Sequence, residues 1–278
     1  MKIHHLNCAS MRPPGGRLVS GTGGFGGARM VAHCLLIEAA DGLVLVDTGL
    51  GLQDIAAPKS LPAIFRGSVR PVLDPAEAAA TQVESLGFAR SDVRSIICTH
   101  LDLDHAGGLR DFPDAAVHVS ATELVAAQNH QSRIEKDRYL QHQWAHHPKW
   151  VEHTAAGEPW NGFEAVRDLP GVPPQVLMVP LAGHTHGHSG IAVDTGSGWL
   201  LHAGDAYFHH DQMHQPPSCP PALQVFQVLL QTERDNRVAN VARLRELAAD
   251  PTVSVFSAHD QVEYAQLRGS GNALASRP

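Results

Sequence analysis

The stretch THLDLDHAGG, residues 99–108, places four potential metal ligands within six consecutive positions. They are His100, Asp102, Asp104 and His105. The apolar run 95–99 predicts a buried strand, and residues 106–109 can begin a helix, so the ligands lie on a strand-to-helix loop. Residues two apart point to the same side of an extended loop, so the first two ligands can reach one cation and the last two another. The alternative is a helix N-terminus with acidic capping groups and unrelated histidines.

Three later strand-like runs also end near a metal-ligand type. The runs 176–181, 199–203 and 253–258 predict strands. The ligand types that follow them are His184, Asp205 and His259. Together with the first four, they make seven ligands, enough for two cations that share one bridging carboxylate.

These motifs resemble the signature of the metallo-β-lactamase superfamily: His-x-His-x-Asp-His, a His within Gly-His-Thr-x-Gly-His-Ser, a bridging Asp and a late His. The matching positions run from Val44-Leu45-Val46-Asp47-Thr48-Gly49 to Ser257-Ala258-His259-Asp260 and span most of the chain. The ligands that the resemblance implies are His100, Asp102 and His184 for metal 1, Asp104, His105 and His259 for metal 2, and Asp205 as the bridge.

Asp102 stands where the family usually has a histidine. Three ligand carboxylates against two divalent ions leave one net positive charge, which predicts weaker Lewis acids than a histidine at 102 would give. We expect two divalent metal ions, zinc first, with manganese or iron as the alternatives that oxygen-rich ligation favours. The other interpretation is that Asp102 faces away from the metal and leaves metal 1 to His184 and His186.

Composition limits the classes of protein to consider. A chain of 278 residues with 43% hydrophobic content predicts one domain, residues 1–278. No run approaches the roughly 18 apolar residues of a membrane span, and the start of the chain lacks the layout of a signal peptide. We therefore expect a cytoplasmic protein without a membrane partner. The net charge of -7 argues against nucleic-acid binding, which leaves a small-molecule substrate as the expected partner and the oligomeric state unpredicted.

The first third of the chain reads as strands. Residues 1–6, 33–39 and 43–47 are strand-like, and Asp41-Gly42 predicts a hairpin between the last two. The glycine-rich segment 15–27 contains a literal GxGxxG, but the element that follows it is a strand. A dinucleotide site needs a helix there, so we expect a loop near the mouth of the site instead.

Helices are predicted later in the chain and on the outside of the strands. They cover residues 74–86 with Asp74 as cap, a stretch after a capping box formed by Ser120 and Glu123, and residues 234–249, where Val238, Val241 and Leu244 share a face. Strand groups in both halves with helices outside predict an α/β (α+β) fold, a four-layer αββα sandwich of the metallo-β-lactamase type.

An aromatic-rich insertion spans about residues 130–169. It contains Tyr139, Trp144, Trp150, Trp160 and Phe163. Two interpretations stay open: a satellite cluster packed under a long insertion, or a lid whose apolar wall holds the substrate over the metals.

The ligand set favours hydrolysis by a water activated between two cations. The substrate would be a small ester or lactone, with acyl-homoserine lactones first. Asp104 could pass a proton to the leaving alkoxide, and Tyr207 lies close enough to Asp205 to reach a substrate carbonyl. In the quorum-quenching lactonases that the chain resembles, this tyrosine stands at the position of Phe208, so Tyr207 could equally be a packing residue.

Two other functions remain open at this level. One is a di-iron redox enzyme, since flavodiiron proteins of the same superfamily carry an acidic residue at the position of Asp102; it would need a separate electron donor. The other is thioester or phosphodiester hydrolysis. Among the remaining histidines, His33 and His202 are expected in the core, and His209, His210 and His214 at the surface.

Overall fold

A computed structural model describes residues 1–130, 132–154, 158–165 and 169–270. Its larger sheet has six strands in the order of the sequence. They are β1 (Lys2–Met11), β2 (Met30–Ala39), β3 (Gly42–Val46), β4 (Val93–Ile97), β5 (Ala116–Ser120) and β6 (Lys149–His153). β1 to β3 pair antiparallel, and β3 to β6 pair parallel. The predicted hairpin is confirmed, because Ala39 pairs with Gly42 where β2 turns into β3.

The smaller sheet has four strands, in the order β12-β11-β10-β9. They are β9 (Val176–Pro180), β10 (Ser189–Asp194), β11 (Trp199–His202) and β12 (Val253–Phe256). β11 and β12 pair parallel, and the other pairs are antiparallel. A separate hairpin joins β7 (Glu158–Trp160) to β8 (Phe163–Ala165).

Nine α-helices are found within the described residues. They are α1 (Arg17–Ser20), α2 (Leu52–Ala56), α3 (Ala63–Ser68), α4 (Ala79–Ser85), α5 (Ala121–Gln128), α6 (Arg133–Arg138), α7 (Pro221–Leu230), α8 (Arg234–Leu247) and α9 (Gln261–Ser270). Short 3₁₀ turns lie at Pro58–Ser60, Pro75–Glu77, Arg90–Asp92, Gly107–Asp111, Gln141–Trp144 and His210–Met213. None of these helices is long and apolar enough to cross a membrane.

The two sheets pack face to face through alternate side chains of their strands. Leu35 and Ile37 of β2 share one buried cluster with Met178 and Ile191 of the smaller sheet. The side chains on the outer face of the larger sheet pack with α4. The side chains on the outer face of the smaller sheet pack with α8. This alternation buries both faces of each sheet. The predicted αββα sandwich is confirmed.

Three local predictions need correction. The helix predicted over 74–86 is a 3₁₀ turn followed by α4, because Ala78 is extended between them, although Asp74 does cap the turn. Ser120 makes no side-chain capping bond at α5. On α8, Val241 and Leu244 are buried as predicted, but Val238 is exposed.

The aromatic side chains of the insertion divide between two outer clusters. Tyr139, Trp144 and Trp150 pack on the outer side of the larger sheet, and Trp160 and Phe163 on that of the smaller sheet. Residues 131, 155–157 and 166–168 of the insertion lie outside the described residues. The described aromatic rings are therefore divided between two cores and do not form one wall.

Candidate metal centre

The strand ends bring all seven candidate ligands to one edge of the sandwich. One cluster contains His100, Asp102, His184 and Asp205, and the other contains Asp104, His105 and His259. Within each cluster the possible ligand atoms lie within 4.8 Å of one another. All seven side chains are buried except that of Asp104, which is 13% exposed. The loop after β4 contributes to both clusters, as the alternation of its residues predicts.

Asp205 lies between the two clusters with one carboxylate oxygen towards each. Its Oδ2 is 3.3 Å from Nε2 of His184 and 3.9 Å from Nε2 of His100. Its Oδ1 is 3.3 Å from Nε2 of His105 and 3.1 Å from Nε2 of His259. This is the geometry that a bridging ligand requires.

The histidines of the second cluster are held from behind by groups that only accept hydrogen bonds. Nδ1 of His105 donates to Asp47 at 2.8 Å, and Nδ1 of His259 donates to the carbonyl of Val31 at 2.7 Å. Each contact fixes the tautomer, and Nε2 is left facing Asp205. Burial alone would lower the pKa of His105, but the carboxylates of Asp205 and Asp47 raise it well above its ordinary value.

The first cluster contains a cation that the sequence patterns did not identify. Arg138, the last residue of α6, donates from Nε to Oδ1 of Asp102 at 2.8 Å and from Nη2 to Oδ2 at 2.6 Å. Nη2 also lies 2.7 Å from Nε2 of His184. Burial alone would raise the pKa of Asp102, but Arg138 and His100 hold it well below its ordinary value.

Arg138 changes the charge of the centre. Its guanidinium pairs with Asp102, so the pair is neutral, like the histidine that the family usually has at 102. With the charge of Arg138 included, the three ligand carboxylates and two divalent ions leave two net positive charges rather than one. The prediction that Asp102 weakens the Lewis acids therefore does not hold once Arg138 is included. Arg138 lies 36 residues further along the chain, and no sequence pattern indicated that it pairs with Asp102.

Two buried polar atoms support cation binding at these clusters. Among the described residues, Nε2 of His100 and Oδ1 of Asp205 have no hydrogen-bond partner although both are buried. A buried polar atom without a partner is costly, and bound cations are a common reason for its presence. Histidine nitrogens and carboxylate oxygens together suit zinc, manganese and iron.

Glu123 is a second residue that sequence reasoning misplaced. It is fully buried in α5, and instead of capping that helix it accepts hydrogen bonds from the backbone N–H groups of Leu101 and Gly187, both at 3.0 Å. These two amides belong to the loops that carry His100 and His184. Glu123 therefore fixes one ligand loop of each half of the chain relative to the other.

The two histidines beyond His184 have different environments. His188 is buried, donates from Nδ1 to the carbonyl of Leu181 at 3.1 Å and accepts at Nε2 from the backbone N–H of Asp205 at 2.9 Å. It therefore supports the backbone of the bridging residue. The side chain of His186 is 40% exposed, with Nδ1 2.8 Å from Glu233. The structure places it outside both clusters.

Tyr207, for which the sequence leaves a catalytic and a packing role open, lies in the core. Tyr207 is fully buried, and its hydroxyl donates to Glu263 at 2.7 Å. The other oxygen of Glu263 accepts from the backbone N–H of Ser257, just before His259, also at 2.7 Å. Phe208 is the ring beside the ligands, stacked on His259 with centroids 5.4 Å apart. Tyr207 thus supports the His259 loop from inside the core.

The remaining histidines divide between core and surface. His33 and His202 are buried as predicted, and Nε2 of His202 donates to the backbone carbonyl of His33 at 2.6 Å. His210 contacts Asp260 at 2.8 Å. His209, expected at the surface, is buried beside it, while His214 is 55% exposed.

The fold and these clusters define a metallo-β-lactamase-type protein, and comparison with known proteins agrees. The model of the metallo-beta-lactamase superfamily matches residues 27–259, so the chain belongs to that superfamily. A probable metallo-hydrolase of Mycobacterium tuberculosis is 43% identical over 94% of this chain and 80% of its own length. Family and site together place the chain among the metal-dependent hydrolases of this superfamily.

Relatives with a described substrate are more distant. An N-acyl homoserine lactonase of Bacillus cereus is 26% identical over 82% of this chain and 80% of its own length. The solved structure of an N-acyl homoserine lactone hydrolase, with the product N-hexanoyl-L-homoserine at its catalytic metal centre, superposes with a TM-score of 0.71 over 96% of both chains. At 21% identity this likeness concerns the fold alone.

Proposed function

We propose that the chain is a two-metal hydrolase of a small ester or lactone, with N-acyl homoserine lactones as the first substrate class. The observation that supports this most is the position of Asp205, which presents one carboxylate oxygen to each ligand cluster. Two divalent cations held by these clusters, zinc first, would supply an activated water and polarise a carbonyl oxygen. The lactonase relatives motivate the choice of substrate.

Two residues of the site, Asp104 and Phe208, would assist this hydrolysis. The Asp104 carboxylate is the partly exposed ligand, 3.7 Å from Nε2 of His259. It is therefore the ligand best placed to receive a proton and pass it to the leaving alkoxide. Phe208 lies 5.8 Å from His184 by ring centroids and excludes water from one side of the ligands. Phe208 has no hydroxyl to bind the substrate carbonyl, so the cations held by the two clusters would have to bind it.

An apolar cluster beside the ligands could hold an acyl chain. Phe208 packs there with Val19 of α1 and Leu223 of α7, and Phe226 contacts Phe208 with centroids 5.3 Å apart. Each methylene buried in such a cluster contributes roughly 0.8 kcal/mol. We therefore assign the acyl chain to this cluster rather than to the tryptophans of the insertion.

The test combines metal analysis with a substrate series. Elemental analysis of fully loaded protein should give two ions per chain, and kcat/KM for N-acyl homoserine lactones should rise with acyl length. Phe226→Ala should flatten this rise and spare a short activated ester, whereas Trp150→Ala, a control in the outer cluster, should leave it intact. One ion per loaded chain would contradict the two-metal site, and turnover of esters without any lactone would contradict the choice of N-acyl homoserine lactones as substrates.

A further inference from the structure

Arg138 and metal 1 require the same lone pair of His184. A guanidinium only donates hydrogen bonds, so Nε2 of His184, 2.7 Å from Nη2, must accept. Nη2 lies closer to this nitrogen than the two carboxylate oxygens beside it, Oδ2 of Asp102 at 3.1 Å and Oδ2 of Asp205 at 3.3 Å. Acceptance at Nε2 places the ring proton on Nδ1, which is also the tautomer that coordinates a metal through Nε2. One lone pair can serve the N–H or the cation, but not both.

Arg138 cannot relieve this competition for Nε2 of His184 by losing its charge. Guanidinium groups stay protonated in proteins, and this one is only 6% exposed. A divalent ion bound by Nε2 of His184 would be repelled by this charge in a poorly screened interior. The guanidinium therefore has to turn away from His184 before that ion binds.

Such a turn would break some contacts of Arg138 but need not break its ion pair with Asp102. Its Nε donates to Oδ1 of Asp102, the oxygen that is further from His184, so the ion pair can persist after Nη2 withdraws. Nη1 donates to the carbonyls of His184 at 3.2 Å and of Leu230 at 2.6 Å. Leu230 is the last residue of α7, so these contacts connect α6, α7 and the ligand loop.

We propose that Arg138 is a positioning residue that competes with metal 1 for His184, so that the metal 2 site fills first and metal 1 binds more weakly. The guanidinium keeps Asp102 and His184 in place at the expense of affinity for the second ion. This proposal rests on the metal assignment of the proposed function, but not on its substrate.

The experiment is a zinc titration of chelator-stripped protein against a chromophoric competitor. The wild type should show two unequal affinities. Arg138→Met should strengthen the weaker site about tenfold or more, and leave the tighter site within about threefold, since competition acts only where His184 is a ligand. A purely long-range charge effect would strengthen both sites. Arg245→Met, which removes an arginine that hydrogen-bonds the carbonyl of Gln212, is the matched control.

A second variant and a direct measurement guard against misfolding. Arg138→Gln retains a side-chain donor without the charge and should give an intermediate affinity. In the wild type labelled with ¹⁵N-arginine, the side-chain resonance that disappears in Arg138→Gln should shift with the second equivalent of zinc and not with the first. A weaker site that is unchanged or weakened in both variants would overturn the proposal while two bound ions keep the proposed function. Failure to bind a second ion in any variant would instead contradict the two-metal centre.

Discussion

The two halves of the metal centre use similar ligands but differ in what lies behind them. In the half with His105 and His259, carboxylate and carbonyl acceptors hold Nδ1 and direct Nε2 to the bridging Asp205. In the half with His184, an arginine donates to the ligand atom itself. We infer that the identity of the ligands sets which metals can bind, whereas the contacts behind each ligand set how tightly each half binds a metal.

The largest effect is expected from substitution of Asp205, the residue that the two halves share. Asp205→Asn takes away one charge and one of the two oxygens between the clusters, so we expect at most one bound ion per chain and a loss in kcat/KM of about a thousandfold, or ~4 kcal/mol. Metal analysis and ester kinetics measure both. Asp211→Asn, at a carboxylate whose side chain is 41% exposed, should change neither. Two retained ions in Asp205→Asn would show that the halves are independent.

Asp47→Asn should affect mainly the half that contains His105, because Asp47 contacts that ligand directly and reaches His100 only through Thr99. It weakens the acceptor of Nδ1 of His105, and loss of such support typically costs about 10–100-fold in metal affinity. The tighter zinc site should weaken by that amount, and the weaker site should weaken less, since its support from Asp47 is indirect. The same competitor titration reads both sites. Equal weakening of the two sites would contradict the division into separately supported halves.

Tyr207→Phe should affect the fold more than the chemistry. Without the hydroxyl, the oxygen of Glu263 that it contacts loses a buried donor, which costs about 1–3 kcal/mol in the free energy of unfolding. Urea unfolding measures this loss, and kcat/KM of the loaded enzyme should stay within about threefold. A large fall in kcat with unchanged stability would return Tyr207 to the list of catalytic residues.

The smallest effect is expected at His118, which lies outside both halves of the metal centre. A change there tests the pH dependence of folding stability separately from that of the metal site. His118 is fully buried in β5, with Nδ1 3.0 Å from Nε2 of His153. Burial and then His153 lower its pKa from 6.5 to about 4. The unfolded chain therefore takes up this proton at higher pH than the folded chain, so His118 costs stability as the pH falls from 6.5 towards 4.

His118→Gln should accordingly reduce the pH dependence of the unfolding free energy in this window by up to roughly 1.4 kcal/mol per pH unit. Urea unfolding of chelator-stripped protein at several pH values measures it without interference from metal release. An unchanged slope would mean that His118 titrates normally in the folded protein.

Sequence patterns were sufficient wherever one short segment carries the signal. The run before His100, the strand ends before Asp205 and His259, and the hairpin at Asp41-Gly42 each combine a strand with the residues that follow it, and the fold places them as predicted. The grouping of ligands also followed from the alternation of residues in the loop after β4.

The patterns failed where a side chain acts far from its own segment. The sequence around Glu123 fits a capping box, yet its carboxylate accepts hydrogen bonds from two backbone amides that are distant in sequence. Arg138 ends an ordinary charged helix, and only the tertiary fold places it against Asp102. Tyr207 is near Asp205 in sequence, but its hydroxyl lies on Glu263. Long-range contacts of this kind override local preference.

The buried carboxylate of Glu123 has a consequence for how the centre opens. The amides of Leu101 and Gly187 both donate to it, and a β-carbon at Gly187 would lie 2.2 Å from the backbone nitrogen of Glu123. Neither ligand loop can separate from α5 without leaving this carboxylate buried and underbonded. In native-state hydrogen exchange, these two amides, 86 positions apart in the sequence, should therefore exchange together as one cooperative unit that opens only when the two halves of the chain come apart.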